Sequence, residues 1–160
     1  MNAARARPAE LRLRAGGADD LDDVMRIMTD AFPPCFGEAW TRSQCAGILP
    51  LAGVSLTMAD HDQHAIGFAL ARTIMDESEL LLIAVEVAGQ GQGAGRLLVE
   101  DFIAQARAQG ASRLHLEVRD GNSAVSLYQS AGFVPAGRRR AYYKAADGRR
   151  HDAVTLVLVR

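Results

Sequence analysis

Polar and apolar residues alternate in Glu10-Leu11-Arg12-Leu13-Arg14, the period-two pattern of a strand with one buried face. The period then lengthens. Leu21, Val24, Met25 and Met28 recur at helical spacing behind Asp19, a residue suited to cap a helix. Pro33 and Pro34 stop that helix near Phe32, because each removes a donor and fixes φ. A second, less regular helix is expected over 38–49. Two strands follow, 54–59 and 65–75, joined by the polar turn Asp60-His61-Asp62-Gln63-His64. The almost unbroken apolar run 79–87 predicts a strand buried on both faces. A glycine-rich turn then opens a helix reaching to about Gln109, with Leu98, Val99, Phe102, Ile103 and Ala106 inward and Gly110 as its stop. Residues 112–119 alternate again, placing Leu114, Leu116 and Val118 on one face and His115, Glu117 and Arg119 on the other. A short helix over 123–131 ends at Gly132, and a hairpin closes the chain, 133–144 and 152–159, turned at Ala146-Asp147-Gly148. This order predicts an α/β (α+β) fold, one domain over 1–160 with a mixed central sheet of about seven strands and about four helices on both faces. Residues 1–9 are expected to form a flexible tail.

Composition narrows the function classes. A net charge of −1, with neither sign dominant, argues against nucleic acid or a membrane surface as the partner. Local clusters exist, basic at Arg138-Arg139-Arg140 with Arg149 and Arg150, acidic at Asp19, Asp20, Asp22 and Asp23, and read as solvated faces. Cys35 and Cys45 show no metal or disulfide spacing and fit reduced cytoplasmic thiols. Residues 1–9 hold arginines without an apolar core, unlike a signal peptide. The longest uncharged run, 43–59, is broken by Gly47, Pro50 and Gly53, unlike a membrane helix. A cytoplasmic protein is expected.

The turn Gln90-Gly91-Gln92-Gly93-Ala94-Gly95 carries the strongest chemical signal. A helix N-terminus presents unpaired N–H groups and a partial positive charge, so it attracts anions. Glycines let the backbone approach a ligand closely, and Arg96 adds a cation. No Gly-Lys-Ser/Thr follows, so a P-loop is excluded. A dinucleotide fingerprint fails too, because the third glycine position after Gly91 and Gly93 is Arg96.

Three segments together resemble the GNAT acetyltransferases. Gln90-x-x-Gly93-x-Gly95 is similar to the family's coenzyme A pyrophosphate turn, Ile83-Ala84-Val85 to its pantetheine-pairing strand, and Leu127-Tyr128-Gln129-Ser130-Ala131-Gly132-Phe133 to its Leu-Tyr-x-x-x-Gly-Phe element. Asp76-Glu77, Leu116-Glu117-Val118-Arg119 and Arg139-Arg140-Ala141-Tyr142-Tyr143 with Asp147-Gly148-Arg149 resemble the ribosomal-protein-alanine N-acetyltransferases (RimI type) over about residues 65–160. The resemblance implies acetyl-CoA as cosubstrate and the α-amine of a protein N-terminus, on a ribosomal protein, as acceptor. It implies Glu117 as general base and Tyr128 as general acid. For the coenzyme it implies Ile83, Ala84, Val85, Gly91, Gln92, Gly93, Ala94, Gly95, Arg96 and Asn122. Two departures stand out: Asn122 precedes Tyr128 by six residues where the family has seven, and Lys144 replaces a frequent proline.

Other readings remain open on residues alone. Glu117 is also a strand glutamate able to pair with Arg119 or another arginine, and Tyr128 an aromatic packed on the sheet. Tyr142 and Tyr143 either line a peptide groove or fill a strand. His115 either lies near the site or is a satisfied buried histidine. His61 and His64 sit in a turn with no third ligand, so no metal is expected. The same coenzyme half also serves enzymes that acetylate small amines or antibiotics, and non-catalytic acetyl-CoA modules.

Overall fold

The computed structural model of the chain describes residues 10–159. The tail expected over 1–9 lies outside those residues. Seven strands form one sheet in the order β1 (Leu11–Ala15), β2 (Val54–His61), β3 (His64–Ile74), β4 (Glu77–Val85), β5 (Arg113–Arg119), β7 (Arg150–Val159) and β6 (Val134–Lys144). All neighbours are antiparallel except β4 and β5. One face is covered by α1 (Leu21–Ala31) and α2 (Arg42–Ile48), the other by α3 (Ala94–Ala108) and α4 (Val125–Ser130). The expected mixed sheet between two helical layers is therefore present.

Each layer follows from the apolar stripe of its helix. Leu21, Val24, Ile27 and Met28 bury the inner side of α1 against Met58, Phe68, Leu82 and Ala84. On the far face, Leu98, Val99, Phe102 and Ala106 of α3 pack on Ala69, Leu80, Leu114 and Leu116. Burying a Leu or Phe side chain of this kind contributes about 1.5–3 kcal/mol.

Several expected boundaries move, each for a local reason. The helix expected from residue 38 begins at Arg42, because Thr41 and Gln44 form a reciprocal capping box there. Residues 38–40 are loop. The first helix starts behind Asp20 rather than Asp19, and the Asp20 carboxylate accepts from the Gly17 amide and Arg14 instead of capping. The polar turn shrinks to Asp62-Gln63, both at positive φ, so the strands run to His61 and from His64.

The apolar strand differs most. It spans Glu77–Val85 and alternates buried with half-buried residues rather than being buried on both faces. Leu70 pairs with Leu82 and Ala71 with Leu80, so Leu81 is an extra residue in β4, a β-bulge. The bulge reverses the facing of the strand. Leu80 packs in the α3 layer, whereas Leu82 and Ala84 pack in the α1 layer.

Candidate active site

Parallel pairing of β4 with β5 ends at Leu80 and Leu116, one residue before the bulge. Beyond that point, among the described residues, β4 pairs only with β3, and β5 only with β7. The two strands diverge and leave a cleft of about 720 Å³ between them. Strand amides alternate between the two edges. The Glu86 amide bonds to the Ile66 carbonyl of β3 at 2.8 Å, so the amides of Val85 and Ile83 are aimed at the cleft. Among the described residues, no strand pairs with β4 along that edge beyond Leu80.

The glycine-rich turn forms the floor of the cleft on the α3 side. Gly93 is the N-cap of α3, with φ 89° and ψ 3°, and Gly91 has φ 81°. A Cβ at either position would meet nothing within 4 Å, so conformation rather than space requires glycine here. The first amide of α3 to find an intrahelical partner is that of Leu97, which donates to the Gly93 carbonyl at 3.0 Å. The amides of Ala94, Gly95 and Arg96 precede it and have no carbonyl four residues back to bond to. Gln90 Nε2 donates to the Val85 carbonyl at 3.0 Å, tying the turn to the end of β4. Ile83, Ala84, Val85, Gly91, Gly93, Ala94, Gly95 and Arg96 all line the cleft. Gln92 is exposed and lies outside that lining. Arg96 pairs with Glu100 one turn along, at 2.9 Å.

Glu117 is the first residue of β5 past the fork, and its side chain is only 10 % exposed. Its carboxylate accepts from Thr155 Oγ1 at 2.8 Å and pairs with Arg139 Nε at 3.1 Å. The Tyr143 hydroxyl donates to the Glu117 carbonyl at 3.2 Å. Glu117 thus faces the cleft and is also ion-paired, with Arg139 rather than Arg119. Tyr128 lines the cleft from α4, 4 % exposed, its ring edge-on to Phe133. Burial, with the charge of Glu38 second, pushes its phenol above the usual range, so the group is a proton donor at any physiological pH. Tyr142 and Tyr143 both line the cleft. His115 does not; it pairs with Glu79 at 3.7 Å, which raises its pKa, and its buried Nδ1 has no partner among the described residues.

Sequence reasoning missed a second group. Glu38, with a side chain 9 % exposed, accepts from Arg119 Nε at 3.1 Å and from Asn122 Nδ2 at 2.9 Å. The Arg119 guanidinium also lies 3.6 Å over the Phe36 ring. Asn122 lines the cleft, but its amide is engaged at both ends: Oδ1 accepts from the Ala124 amide at 2.8 Å. Gly37 sits between Phe36 and Glu38 at φ 68°, where a Cβ would fall 2.2 Å from the Lys144 carbonyl oxygen. A breaker-rich stretch, Pro33-Pro34 and Gly37, was the only local sign that Glu38 lies in a loop and not a helix.

Comparison with known proteins adds an independent line. Residues 21–133 match the model of the acetyltransferase (GNAT) family. A Haemophilus influenzae protein named [ribosomal protein bS18]-alanine N-acetyltransferase is 39 % identical over 103 residues, 64 % of this chain and 70 % of that one. The Escherichia coli protein of the same name is 44 % identical over 92 residues, 57 % of this chain and 62 % of that one. The chain thus aligns with a little under two thirds of the second relative's length. A crystal structure of the E. coli ribosomal-protein-S18-alanine N-acetyltransferase superposes with a TM-score of 0.82 at 31 % identity, covering 94 % of both chains.

Proposed function

The chain belongs to the GNAT acetyltransferase family, and from that premise we propose that it transfers acetyl from acetyl-CoA to the N-terminal alanine of a small-subunit ribosomal protein. The observation that carries the reading is the fork. One wall offers backbone donors, the other a carboxylate from β5 and a phenol from α4.

The coenzyme half fits the cosubstrate by its donors. Amides of Gly91 to Arg96 at the start of α3 suit a pyrophosphate, and those of Ile83 and Val85 suit the amide groups of a pantetheine arm. Acetyl-CoA supplies the thioester. The Val85 amide is placed to polarise its carbonyl. Glu117, directly or through a water, relays protons from the acceptor nitrogen to solvent, first from its ammonium form and then as its bond to the acetyl carbon forms. Tyr128 gives its proton to the sulfur as the C–S bond breaks. The products are an N-acetyl amide and free coenzyme A. Neither a covalent enzyme intermediate nor a metal is part of this scheme.

An α-amine is the better acceptor on physical grounds. Its pKa of about 7.7–8.0, against about 10.4 for lysine, makes its neutral form cheaper by about 3.5 kcal/mol at neutral pH. A single carboxylate suits that demand. The relatives named above carry the alanine acceptor in their own names. We place the protein in the cytoplasm as one domain, consistent with unpaired Cys35 and Cys45 and with the absence, among the described residues, of a helix long and apolar enough to cross a membrane.

The test is turnover with acetyl-CoA of peptides that differ only at residue one, beside a lysine-containing blocked peptide and a polyamine. Alanine-first peptides should be modified fastest, at the α-amine. Faster modification of the polyamine or of lysine would replace this acceptor with a small amine or a side chain.

A further inference from the structure

Two chain segments meet over the acceptor side of the cleft. The loop Pro33–Trp40 supplies Phe36 and Glu38, and the end of β5 with the turn after it supplies Arg119 and Asn122. Their contacts form a closed set. Glu38 receives two charge-assisted hydrogen bonds, one from each partner, and Arg119 is held from above by Phe36 and from the side by Glu38. Hydrogen bonds to an ionised group are about twice as strong as neutral ones. The loop is also pinned on its other flank, where Gly37 packs against the Lys144 carbonyl and His151 Nε2 bonds to the Cys35 carbonyl at 3.0 Å. Arg119 lies two residues beyond Glu117, on the same face of β5, and Asn122 lies six before Tyr128.

Neither Glu38 nor Arg119 is free to act on an acceptor, since each compensates the other in a nearly buried setting. Their position gives them a different task. We infer that Glu38 is a positioning residue, whose grip on Arg119 and Asn122 fixes the acceptor loop relative to Glu117 and Tyr128, and that Asn122 serves this clasp rather than the coenzyme. The charge of Glu38 has a second effect, adding to burial in keeping the Tyr128 and Tyr143 phenols protonated.

The inference rests on the acetyltransferase reading above. Steady-state kinetics on wild type, Glu38→Gln, Asn122→Ala and the double variant test it, with peptide varied at saturating acetyl-CoA and the converse. Glu38→Gln should lower peptide kcat/KM by about 30-fold, since misplacing reacting groups by about 1 Å costs about 10²-fold. Asn122→Ala, losing one of two hydrogen bonds, should lower it by about 5-fold. The double variant should be no worse than Glu38→Gln, because both act through one clasp. The KM for acetyl-CoA should stay within about 2-fold in every variant, since the clasp touches none of the amides assigned to the coenzyme.

Two results overturn the inference. One is a peptide kcat/KM for Glu38→Gln above half of wild type. The other is an Asn122→Ala variant whose acetyl-CoA KM rises tenfold while peptide kcat/KM is unchanged, which returns Asn122 to the coenzyme. If Glu38→Gln does not fold, Asn122→Ala alone decides between these outcomes. Should wild type prefer a different amine, the acceptor assignment fails, and the same variants are read with that amine.

Discussion

Replacing Glu117 by Gln separates catalysis from stability. Gln keeps the length and volume of the side chain and an oxygen for the Thr155 hydroxyl, now 2.8 Å away, but loses the charge facing Arg139. Arg139 is 62 % exposed, so the pair is screened and its loss costs less than about 1 kcal/mol. For a chain of this size that shifts Tm by no more than about 2–4 °C. Catalysis responds on another scale. General-base assistance contributes about 10²–10⁴-fold, which is about 2.7–5.5 kcal/mol of barrier at 1.36 kcal/mol per tenfold. The deficit should also depend on pH. With a pKa near about 7.8, roughly 5 % of an α-amine is neutral at pH 6.5 and roughly 94 % at pH 9. A group that removes the ammonium proton is needed at the first pH and far less at the second. Initial rates of thiol release, measured at both pH values on wild type and Glu117→Gln, should show a gap of at least about 10² at pH 6.5 that narrows by about an order of magnitude at pH 9. A variant retaining half of wild-type kcat/KM at pH 6.5, with Tm unchanged, would make Glu117 a strand residue paired with Arg139 and nothing more.

Three further outcomes are expected. Tyr128→Phe keeps the edge-on contact with Phe133 but removes the phenol; kcat/KM should fall about 10²-fold, the low end for a general acid because a thiolate of pKa about 8.5 leaves readily, with Tm barely moved by calorimetry. Gly93→Ala has room for its methyl but not the backbone freedom, and a left-handed residue with a Cβ costs about 1–2 kcal/mol, lowering Tm by about 2–8 °C alongside a weaker acetyl-CoA affinity by titration calorimetry. His115 has a raised pKa from Glu79, with Glu77 adding and burial and Arg113 opposing, so its charged form stabilises the fold fully below about pH 6.5 and that contribution fades as pH rises through the folded value. Wild type should therefore exceed His115→Gln in Tm most at pH 5.5, and the gap should shrink toward pH 8.5.

Much of the fold was legible because each element announces its own period. Leu114, Leu116 and Val118 alternate as they do in the sheet, and α3 buries the residues its spacing assigns, apart from the half-buried Ile103. What the residues did not disclose was the bulge. In the run Leu80-Leu81-Leu82-Ile83-Ala84-Val85 every position is apolar, so no alternation exists for an inserted residue to break. The reversal at Leu81 appears only once β3 supplies the register, through Leu70 against Leu82 and Ala71 against Leu80. That reversal sits where β4 and β5 part, so the feature that opens the cleft was the one hidden in the apolar run.

The site divides along the same line. The half proposed to hold the coenzyme is made of backbone, and backbone demands leave local letters: Gly91 and Gly93 because φ must be positive, and Gln90 because one side chain bridges five residues back to Val85. Local demands can be read from a local string. The half proposed to hold the acceptor is made of side chains whose partners lie far apart in the chain, Glu38 with Arg119 and Asn122 at separations of 81 and 84, Glu117 with Thr155 at 38. No short-range rule constrains such a pair, because a glutamate in a loop and an arginine on a strand each look complete as solvated charges. Glu38 therefore falls inside the helix expected over 38–49, and the arginine facing Glu117 stays open between Arg119 and others. Only the fold brings Arg139 to one carboxylate and Arg119 to the other, leaving Glu117 at the fork and Glu38 in the wall. The acetyl donor is thus legible in a local motif, whereas the contacts proposed to hold the acceptor emerge only from the fold.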